Sequence, residues 1–418
     1  MLEDLLGGSL SFGIDAFDGT HAGPGGVTAR VVVRSPQALR YIAGAPGELG
    51  FARAYVAGDL DIQGDIYDVL READRLRNLH VSPHILWSLL RAGGLRTLRA
   101  PKPPAEEVRL RGKRHSRARD AAAIAHHYDV SNEFYRLVLG PSMTYSCAVF
   151  RCESDSLEQA QKNKLDLVCR KLGLRPGMRL LDVGCGWGSL VVHAAQHFGV
   201  QAVGVTVSRE QAAYADAIVC NAGLEDRIEI RLQDYREVAD GPYDAIASIG
   251  MFEHVGERLD GYLSHLLALL LPGGRLLNHG ISRGHRMGFT ATRAERRGFV
   301  ERYVFPDREL HEIGRVVSAI QQVGFEVGHV EGLRDHYALT LRHWVSNLEK
   351  HWDRAVRHVG AGRARAWRLH MAASAIGSES NRTSVHQVLA VRPTGDRTQL
   401  PLRPSWECDD STAFSPTL

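Results

Sequence analysis

The chain has 418 residues and a formal net charge of +3, and 44% of its residues are hydrophobic and 24% charged. This composition excludes an intrinsically disordered chain, and the length suits two or three domains with a core large enough for an enzyme. The longest strictly aliphatic run, Leu266 to Leu271, is far shorter than the roughly 20 apolar residues that a membrane span needs. The near-neutral charge gives no indication of a nucleic-acid partner, and we expect none.

The six cysteines show neither a CxxC pair nor a metal-ligand spacing, and they are Cys147, Cys152, Cys169, Cys185, Cys220 and Cys408. No basic segment followed by an apolar segment opens the chain, so we expect no secretion signal. Scattered thiols without such a signal predict a reducing, cytoplasmic compartment and no bound metal.

The first 95 residues are predicted to form a small domain of their own. Val27 to Arg34 is rich in Val and alternates weakly, which predicts a strand. Ser35 and Pro36 supply an N-cap and a first-turn proline, so a helix should follow. A second helix is predicted over Ile66 to Leu79.

Residues 96–120 are predicted to be a basic, proline-containing linker. Three prolines lie between Pro101 and Pro104 and interrupt any helix. Between Arg91 and Asp120 there are ten Lys or Arg against three Asp or Glu, a local excess of +7. Such a run is either a solvated linker or a surface that contacts anionic lipid, where each basic residue contributes about 1 kcal/mol.

From residue 121 to about 395, short apolar runs alternate with helical stretches. Five runs are predicted to be strands, namely Arg179–Val183, Gln201–Val205, Ile228–Leu232, Ala245–Ile249 and Arg275–His279. Helices between successive strands are typical of βαβ units, so this segment predicts a mostly parallel, doubly wound, Rossmann-like α/β sheet. After Arg392 the chain is polar and rich in proline, and residues 396–418 are predicted to be a flexible tail.

The strongest local signal is the glycine-rich turn LLDVGCGWG at residues 180–188, followed by a predicted helix from Ser189. Glycines let the backbone approach a ligand closely, and in open α/β sheets that ligand lies at the carboxyl ends of the strands. NAD enzymes use GxGxxG and an acidic residue after the second strand, whereas this chain has GxGxG and Thr206. The turn instead resembles motif I of class I methyltransferases, which bind S-adenosylmethionine (SAM).

Four further segments narrow the resemblance. They are HYDVSN at 127–132, MTYSC at 143–147, GVTVSREQ at 204–211 and SIGMFEHVG at 248–256. Together with the turn, and in this order, they resemble the cyclopropane-fatty-acyl-phospholipid synthase family, which includes the mycolic-acid methyltransferases. The resemblance covers residues 120–390 and extends weakly to Gly47–Asp61. It implies a class I SAM-methyltransferase domain over 121–395 and a smaller N-terminal α+β accessory domain over 1–95 that binds lipid.

The resemblance also implies which residues contact SAM. They are Tyr145, Ser146, Gly184, Gly186, Thr206, Val207, Gln211, Tyr235, Arg236 and Ile249. The glycines match positions under the methionine part, and the residues after the second strand match ribose and adenine contacts. Tyr235 and Arg236 stand where the family often has Trp-Glu.

A bicarbonate ion beside the methyl group is a further implication of the resemblance. Its side-chain ligands match Cys147, Glu253, His279 and Tyr337. Backbone groups near His254 and Ile281 would help to hold it. Each residue taken alone has a structural alternative: Cys147 as a small buried hydrophobe, His279 as a core histidine, and Glu253 as a carboxylate at a helix N-terminus.

The residue types suit the chemistry of methylating an alkene. An alkene is a weak nucleophile and needs the strongly electrophilic sulfonium methyl of SAM. Attack leaves a carbocation, so water must be excluded and a base must remove a proton. An anion next to Glu253 requires that this carboxyl carry a proton or donate through His279. Some family members have a cysteine near the C-terminus, where this chain has Met371, so no thiol nucleophile is expected.

The predicted function is SAM-dependent C-methylation of the cis double bond of a phospholipid-bound acyl chain, which forms a cyclopropane ring. An alternative product of the same methyl transfer is a 10-methylene acyl chain, for which a partner reductase would be expected. Two rival hypotheses are an NAD-dependent dehydrogenase and a lipid-binding protein with an inactive methyltransferase fold. We expect a cytoplasmic enzyme that binds an anionic membrane surface peripherally, and a homodimer is left open.

Overall fold

The structure is a computed structural model that describes residues 11–76, 101–108, 119, 131–256, 259–287, 298–395, 398, 400–403 and 406. The described residues fall into two compact units, and each unit draws on three segments of the chain. The first takes them from Met1–Val138, His285–Arg308 and Ala338–Thr383, and the second from Leu139–Gly284, Glu309–Tyr337 and Ser384–Leu418. The predicted boundaries at residues 95 and 120 lie outside the described residues, as does most of the predicted linker.

The strands of the described part are β1 (Gly13–Ala16), β2 (His21–Ala22), β3 (Ala29–Val33), β4 (Leu60–Gly64), β5 (Arg179–Val183), β6 (Gln201–Thr206), β7 (Ile228–Leu232), β8 (Tyr243–Ile249), β9 (Leu270–Arg283), β10 (Glu326–Gly332) and β11 (Thr383–Val391). The α-helices are α1 (Pro36–Gly44), α2 (Glu48–Ala57), α3 (Ile66–Leu76), α4 (Asn132–Leu139), α5 (Leu157–Leu172), α6 (Ser189–Phe198), α7 (Arg209–Asn221), α8 (Leu259–Leu269), α9 (Phe299–Tyr303), α10 (Ile313–Gln322), α11 (Arg334–Lys350), α12 (Trp352–Val359) and α13 (Ala361–Glu379). Within the described residues, no helix is long and apolar enough to cross a membrane.

The first unit contains a small sheet with the strand order β2-β1-β3-β4. Strand β1 pairs with β3 in parallel, and β3 pairs with β4 antiparallel. Strand β3 confirms the strand predicted within residues 27–34. Helix α1 begins as predicted, because the Ser35 hydroxyl accepts a hydrogen bond from the Gln37 N–H at 3.1 Å and Pro36 takes the first helical position.

The second unit is built on a seven-stranded sheet with the order β10-β11-β9-β8-β5-β6-β7. Strands β5, β6, β7, β8 and β9 pair in parallel, and β10 pairs with β11 antiparallel. From β5 the chain proceeds to β6 and β7 on one side and then returns to β8 on the other. In doubly wound sheets a ligand binds at the carboxyl ends of the strands beside such a reversal. The predicted doubly wound α/β class is confirmed.

Apolar side chains at alternating strand positions cover both faces of this sheet. On one face, Leu181 and Ile246 belong to a core cluster with side chains of α8 and α10. On the other face, Leu180 and Ala245 belong to a cluster with side chains of α5, α6 and α7. This alternation follows from the two-residue period of a strand and buries the sheet between two layers of helices.

Strand β9 is longer than predicted from the sequence. The prediction covered the apolar run Arg275–His279, whereas the strand begins at Leu270, before a Pro-Gly-Gly stretch, and continues to Arg283. In the structure, the Gly273 N–H donates to the Arg392 carbonyl at 2.8 Å, and the Arg392 N–H donates to the Gly274 carbonyl at 2.9 Å. The glycines are therefore held in the sheet by a segment that is more than 100 residues away in sequence. The other four predicted strands are present within two residues of their predicted ends.

Candidate active site

The glycine-rich turn connects β5 to α6 at the carboxyl edge of the sheet. Its backbone is tied to the neighbouring strand, because the N–H groups of Gly184 and Cys185 both donate to the Val205 carbonyl at 3.0 Å. A Cβ at Gly184 would overlap the Met251 side chain. Gly186 has φ +56°, and a Cβ built there would meet no atom of the described residues within 4 Å. The turn therefore presents bare backbone to open space at Gly186, as a ligand cradle requires.

A buried polar pair follows strand β6, beside this turn. The Thr206 hydroxyl donates to the Gln211 side-chain oxygen at 2.8 Å, and both side chains are buried. Ser208 caps helix α7 by accepting a hydrogen bond from the Gln211 N–H at 3.2 Å. Val207, between them, is half-buried. The Gln211 amide oxygen is already used by Thr206, which leaves the amide NH₂ as the group that could serve an acceptor on a ligand.

The residues after β7 and β8 complete the predicted cofactor set. Tyr235 and Arg236 form a short 3₁₀ helix, and the Arg236 Nε donates to the Asp234 carboxylate at 2.8 Å. The Tyr235 ring packs edge-on against Tyr262, with ring centroids 4.9 Å apart. Ile249 is half-buried at the end of β8. Asp234, which orients Arg236, belongs to the segment 233–236 that resembles the adenine-contacting loop of class I methyltransferases, but it was not among the predicted contact residues.

Helix α5 holds the segment that contains Tyr145 and Ser146. The Gln161 amide nitrogen donates to the carbonyls of Thr144 at 3.2 Å and Ser146 at 3.0 Å. The Lys164 ammonium donates to the Ser146 hydroxyl at 3.1 Å. Gln161 and Lys164 were both missed from the sequence, although polar residues at core-facing positions of an amphipathic helix are a usable signal.

Lys164 also interacts electrostatically with Asp182, which lies two residues before Gly184. Both side chains are buried, with exposures of 1% and 3%. Burial lowers the pKa of Lys164 to about 8 and raises that of Asp182 to about 7, and the attraction between the two groups opposes both shifts. Lys164 and Asp182 therefore link the Ser146 segment to the strand that leads into the glycine turn: Lys164 binds Ser146 and attracts Asp182.

Two of the predicted anion ligands share a cluster on the second unit. Cys147 packs with Leu333 and Val385, and Tyr337 and Ile281 pack against the same cluster. The Cys147 thiol is 2% exposed and lies 3.6 Å from the Leu333 carbonyl oxygen.

Ile281 also connects the other two predicted ligands to this place. Its backbone N–H donates to the Glu253 carboxyl oxygen Oε1 at 2.7 Å. His279 is two residues earlier on β9, and therefore lies on the same face of the strand. Gly280 allows this close approach, because a Cβ there would overlap the Phe252 ring. Cys147 and Tyr337 thus pack in the same cluster as Ile281, and Glu253 accepts from the Ile281 N–H. His279 lies two residues away on the same strand.

His279 is a neutral, buried imidazole. Its side chain is 2% exposed, and burial lowers its pKa to about 3. The Gln387 amide nitrogen donates to the His279 Nδ1 at 3.1 Å. Gln387 lies in β11 and was not identified from the sequence.

The predicted cofactor residues fit SAM on one direct observation of the structure. Bare backbone at Gly186 faces open space at the carboxyl end of β5, and the side chains after β6, β7 and β8 surround the same edge of the sheet.

Known proteins resemble this chain in sequence and fold. A family model described as mycolic acid cyclopropane synthetase matches residues 115–388. A probable fatty acid methyltransferase of Mycobacterium tuberculosis is 48% identical over 406 residues, and the match covers 94% of each chain.

Two solved structures extend the comparison. The cyclopropane synthase MmaA2 from Mycobacterium tuberculosis matches with a TM-score of 0.62 and 32% identity, over 67% of this chain and 100% of that one. The mycolic acid cyclopropane synthase CmaA1, solved in complex with SAH and CTAB, matches with a TM-score of 0.61 and 33% identity, over 65% of this chain and 98% of that one. The protein is therefore a SAM-dependent methyltransferase, and it belongs to the mycolic acid cyclopropane synthetase family.

Proposed function

We propose that the enzyme adds a methylene group to the cis double bond of a phospholipid-bound unsaturated fatty acyl chain and so forms a cyclopropane fatty acid. The observation that carries this proposal is that Cys147 and Tyr337 share a cluster with Ile281 and that Glu253 accepts from the Ile281 N–H. The fourth predicted ligand, His279, lies two residues before Ile281 on the same strand. The name of the M. tuberculosis relative, a probable fatty acid methyltransferase, supports an acyl chain as substrate.

Ten residues would hold SAM in this proposal, namely Tyr145, Ser146, Gly184, Gly186, Thr206, Val207, Gln211, Tyr235, Arg236 and Ile249. When bound, SAM supplies an electrophilic methyl group on a sulfonium sulfur. The protein's part is to position that group: Gln161 and Lys164 hold the Ser146 segment, and Gly186 leaves room against the backbone. Such positioning accounts for a large share of catalysis in group-transfer enzymes.

The methylated acyl chain must then lose a proton without meeting water. We place bicarbonate among Cys147, Glu253, His279 and Tyr337, where it would serve as the base. A neutral His279 can donate from Nε2, because Nδ1 accepts from Gln387. Glu253 accepts from the Ile281 N–H through Oε1, and a proton shared between its carboxyl group and the anion would relieve the repulsion of two like charges. Burial of Glu253 and His279 excludes water from this place.

A 10-methylene product is the alternative, and one observation favours it. The relative that matches 94% of both chains is named for fatty acid methylation and not for cyclopropane formation. The two products share the methyl transfer. The methylene product also requires a hydride shift from the methylated carbon to the neighbouring cationic carbon before the base removes a proton. A methylene lipid would need a partner reductase to become a saturated branched chain.

The substrate chains lie in a bilayer, so the enzyme would bind the cytoplasmic membrane surface peripherally. The N-terminal domain and the basic linker are the proposed contacts. The linker residues Arg111, Lys113, Arg114 and Arg117 lie outside the described residues.

The test is turnover of SAM labelled in its methyl group on vesicles of cis-unsaturated phospholipid, with free unsaturated fatty acid as a second substrate arm. Mass spectrometry and NMR of the extracted lipid distinguish a cyclopropane from a methylene product. Glu253→Gln and His279→Ala should reduce turnover about 10²- to 10⁴-fold, the usual range for loss of general-base assistance. Their SAM affinities, measured by calorimetry, should change little. Added bicarbonate should stimulate carbon-dioxide-depleted wild type more than Glu253→Gln.

Near-full turnover by both variants would show that these side chains belong only to the core. Methylation of free fatty acid in preference to the vesicles would refute the phospholipid substrate and leave the methyl transfer intact.

A further inference from the structure

We propose that Lys171 and Gln387 are positioning residues that fix the proton of His279 on Nε2, the nitrogen that faces the reaction, with Glu331 as the counter-ion of Lys171. This inference rests on the proposed function in one respect, since it takes His279 to be a donor at the reaction site. The network itself is a property of the described residues and can be measured without turnover.

The network runs from the sheet edge to the candidate site in three steps. The Glu331 carboxylate in β10 pairs with the Lys171 ammonium at the end of α5. The Lys171 ammonium donates to the Gln387 amide oxygen at 2.7 Å. The Gln387 amide nitrogen donates to the His279 Nδ1 at 3.1 Å.

In this network each hydrogen bond can have only one direction, because each group can act there only as a donor or only as an acceptor. A charged lysine has only donors, so the amide oxygen of Gln387 must face Lys171. The amide NH₂ must then face His279, and it can only donate. His279 Nδ1 must therefore be the unprotonated nitrogen, which places the ring proton on Nε2.

The surroundings of His279 agree with a role of Nε2 as the hydrogen-bond donor to a ligand. Within the part of the chain that the structure describes, the hydrogen bond to Gln387 is the only one recorded for this ring. Nε2 makes no hydrogen bond to these residues, and it is the nitrogen that the proposed function turns toward the bicarbonate. The ring is also neutral, as burial lowers its pKa, so one nitrogen must be a donor and the other an acceptor.

A purely structural role explains the network poorly. The side chains of Lys171 and Gln387 have no exposed surface, while that of Glu331 is 36% exposed. Removing an ammonium group from water is costly, and apolar residues of similar volume usually stabilise a core as well or better. The buried Lys171 ammonium does orient the Gln387 amide, and the oriented amide determines which nitrogen of the His279 ring is protonated.

The experiment combines histidine NMR with kinetics on the full-length protein. The ¹⁵N shifts of the ring nitrogens distinguish the Nε2–H from the Nδ1–H tautomer, and the His279 signal is assigned by its absence from His279→Gln. Wild type should show the Nε2–H tautomer. Gln387→Glu offers only acceptors and should move the proton to Nδ1, while Lys171→Met releases the amide and should give a mixture. Both variants should lower kcat about 10- to 100-fold, as loss of an orienting partner typically does.

Asp166→Asn is the matched control. Asp166 accepts from the buried ring of His193 at 2.8 Å, outside the candidate site. This variant should shift the His193 signal, which shows that the method detects a lost partner, and should leave the His279 tautomer and kcat unchanged. SAM affinity within about twofold of wild type would show that the variants are folded.

An Nδ1–H tautomer in wild type would overturn the inference without any variant. Unchanged tautomer and kcat in both Gln387→Glu and Lys171→Met would also overturn it. If wild type methylates no unsaturated lipid but its His279 tautomer follows Gln387 as described, the network stands and the proposed function fails.

Discussion

At the scale of single residues, the candidate site consists of polar groups whose burial is matched by named partners. Glu253 accepts from Ile281, His279 from Gln387, and Ser146 from Lys164. Each bond fixes which atom of the side chain is left for a ligand. Gly186 contributes in the opposite way, through the absence of a side chain.

Gly186→Val should abolish detectable SAM binding while the fold is retained. The new side chain would occupy the open space against the backbone, where the proposal places the cofactor. Calorimetry with SAM is the measurement, with circular dichroism as the check on folding.

The matched control for this variant is Gly177→Val. Gly177 also has a positive φ, +84°, and a Cβ there meets no described atom within 4 Å, but it lies before β5, at the amino end of the strand. The two variants share the backbone strain, so only the position differs. Equal SAM affinity in Gly186→Val and Gly177→Val would contradict the cradle.

His370 should make the protein sensitive to acid. The side chain is 3% exposed beside Phe305, and burial lowers its pKa from 6.5 to about 3. Between these pH values the unfolded chain binds a proton that the folded chain does not, so the free energy of unfolding falls as the pH falls. The slope for one such group is about 1.4 kcal/mol per pH unit.

Urea unfolding of wild type and His370→Met at several pH values from about 7 down to about 5 measures this contribution. Below about pH 6 the free energy of unfolding should fall less steeply with pH in the variant than in wild type. The difference between the two slopes should be at most about 1.4 kcal/mol per pH unit, the value for one proton. His279 is present in both proteins, so its effect cancels in the difference. Parallel curves would mean that His370 is protonated in the folded state.

At the scale of secondary structure, helix α5 supplies three buried polar side chains that hold residues of the candidate site in place. Gln161, Lys164 and Lys171 are buried along it. The first two donate to Ser146, and the third donates to Gln387. The helix has defined ends: Ser156 caps its start by accepting from the Gln159 N–H at 3.1 Å, and Gly173 ends it in a left-handed conformation. Capping at both ends keeps the three polar side chains in register.

Gln161→Met should weaken SAM binding about tenfold and destabilise the protein by about 1–3 kcal/mol, the cost of leaving buried carbonyls without a donor. The freed carbonyls are those of Thr144 and Ser146, which flank Tyr145. Calorimetry and urea unfolding measure the two effects.

Gln159→Met is the control on the same helix. Its side chain is exposed, and among the described residues it donates to Asn163, at 2.8 Å. It should change neither quantity by more than about 0.5 kcal/mol. If Gln161→Met binds SAM as well as Gln159→Met does, α5 has no part in positioning the cofactor.

At the scale of the whole molecule, each compact unit is assembled from three segments of chain. All the predicted site residues, Tyr145 to Tyr337, belong to the second unit. The predicted lipid-binding surface concerns the N-terminal domain and the basic linker, most of which lies outside the described residues.

Replacement of the linker residues Arg111, Lys113, Arg114 and Arg117 by Gln should weaken co-sedimentation with anionic vesicles. Binding of wild type should also fall as salt is raised, because surface charges are screened over about 10 Å at 0.1 M. A control with the same change of net charge replaces exposed residues outside the linker, namely Arg151, Arg209, Arg227 and Arg357. Equal binding to neutral and anionic vesicles, or equal loss in both variants, would refute a dedicated lipid contact.

Local sequence patterns were sufficient to predict the strands of the parallel sheet and the glycine turn. A run such as Arg179–Val183 is buried on both faces, so its apolar composition alone marks it as a strand, and the turn after it needs glycines whatever follows. The family resemblance added the predicted site residues, and the structure brings three of the four predicted anion ligands to Ile281, with His279 two residues away on β9. Their roles remain predictions.

The sequence by itself therefore determined the fold class, the family and the edge of the sheet at which the cofactor is expected. Only the tertiary structure decided that β9 continues through its glycines, and that Lys171, Gln387 and His279 form one network. The partners in that network are 216 and 108 residues apart in the chain. Periodicity and turn chemistry act over a few residues, whereas a hydrogen bond between buried side chains depends on where the packed sheet and helices place them, and no local pattern contains that information.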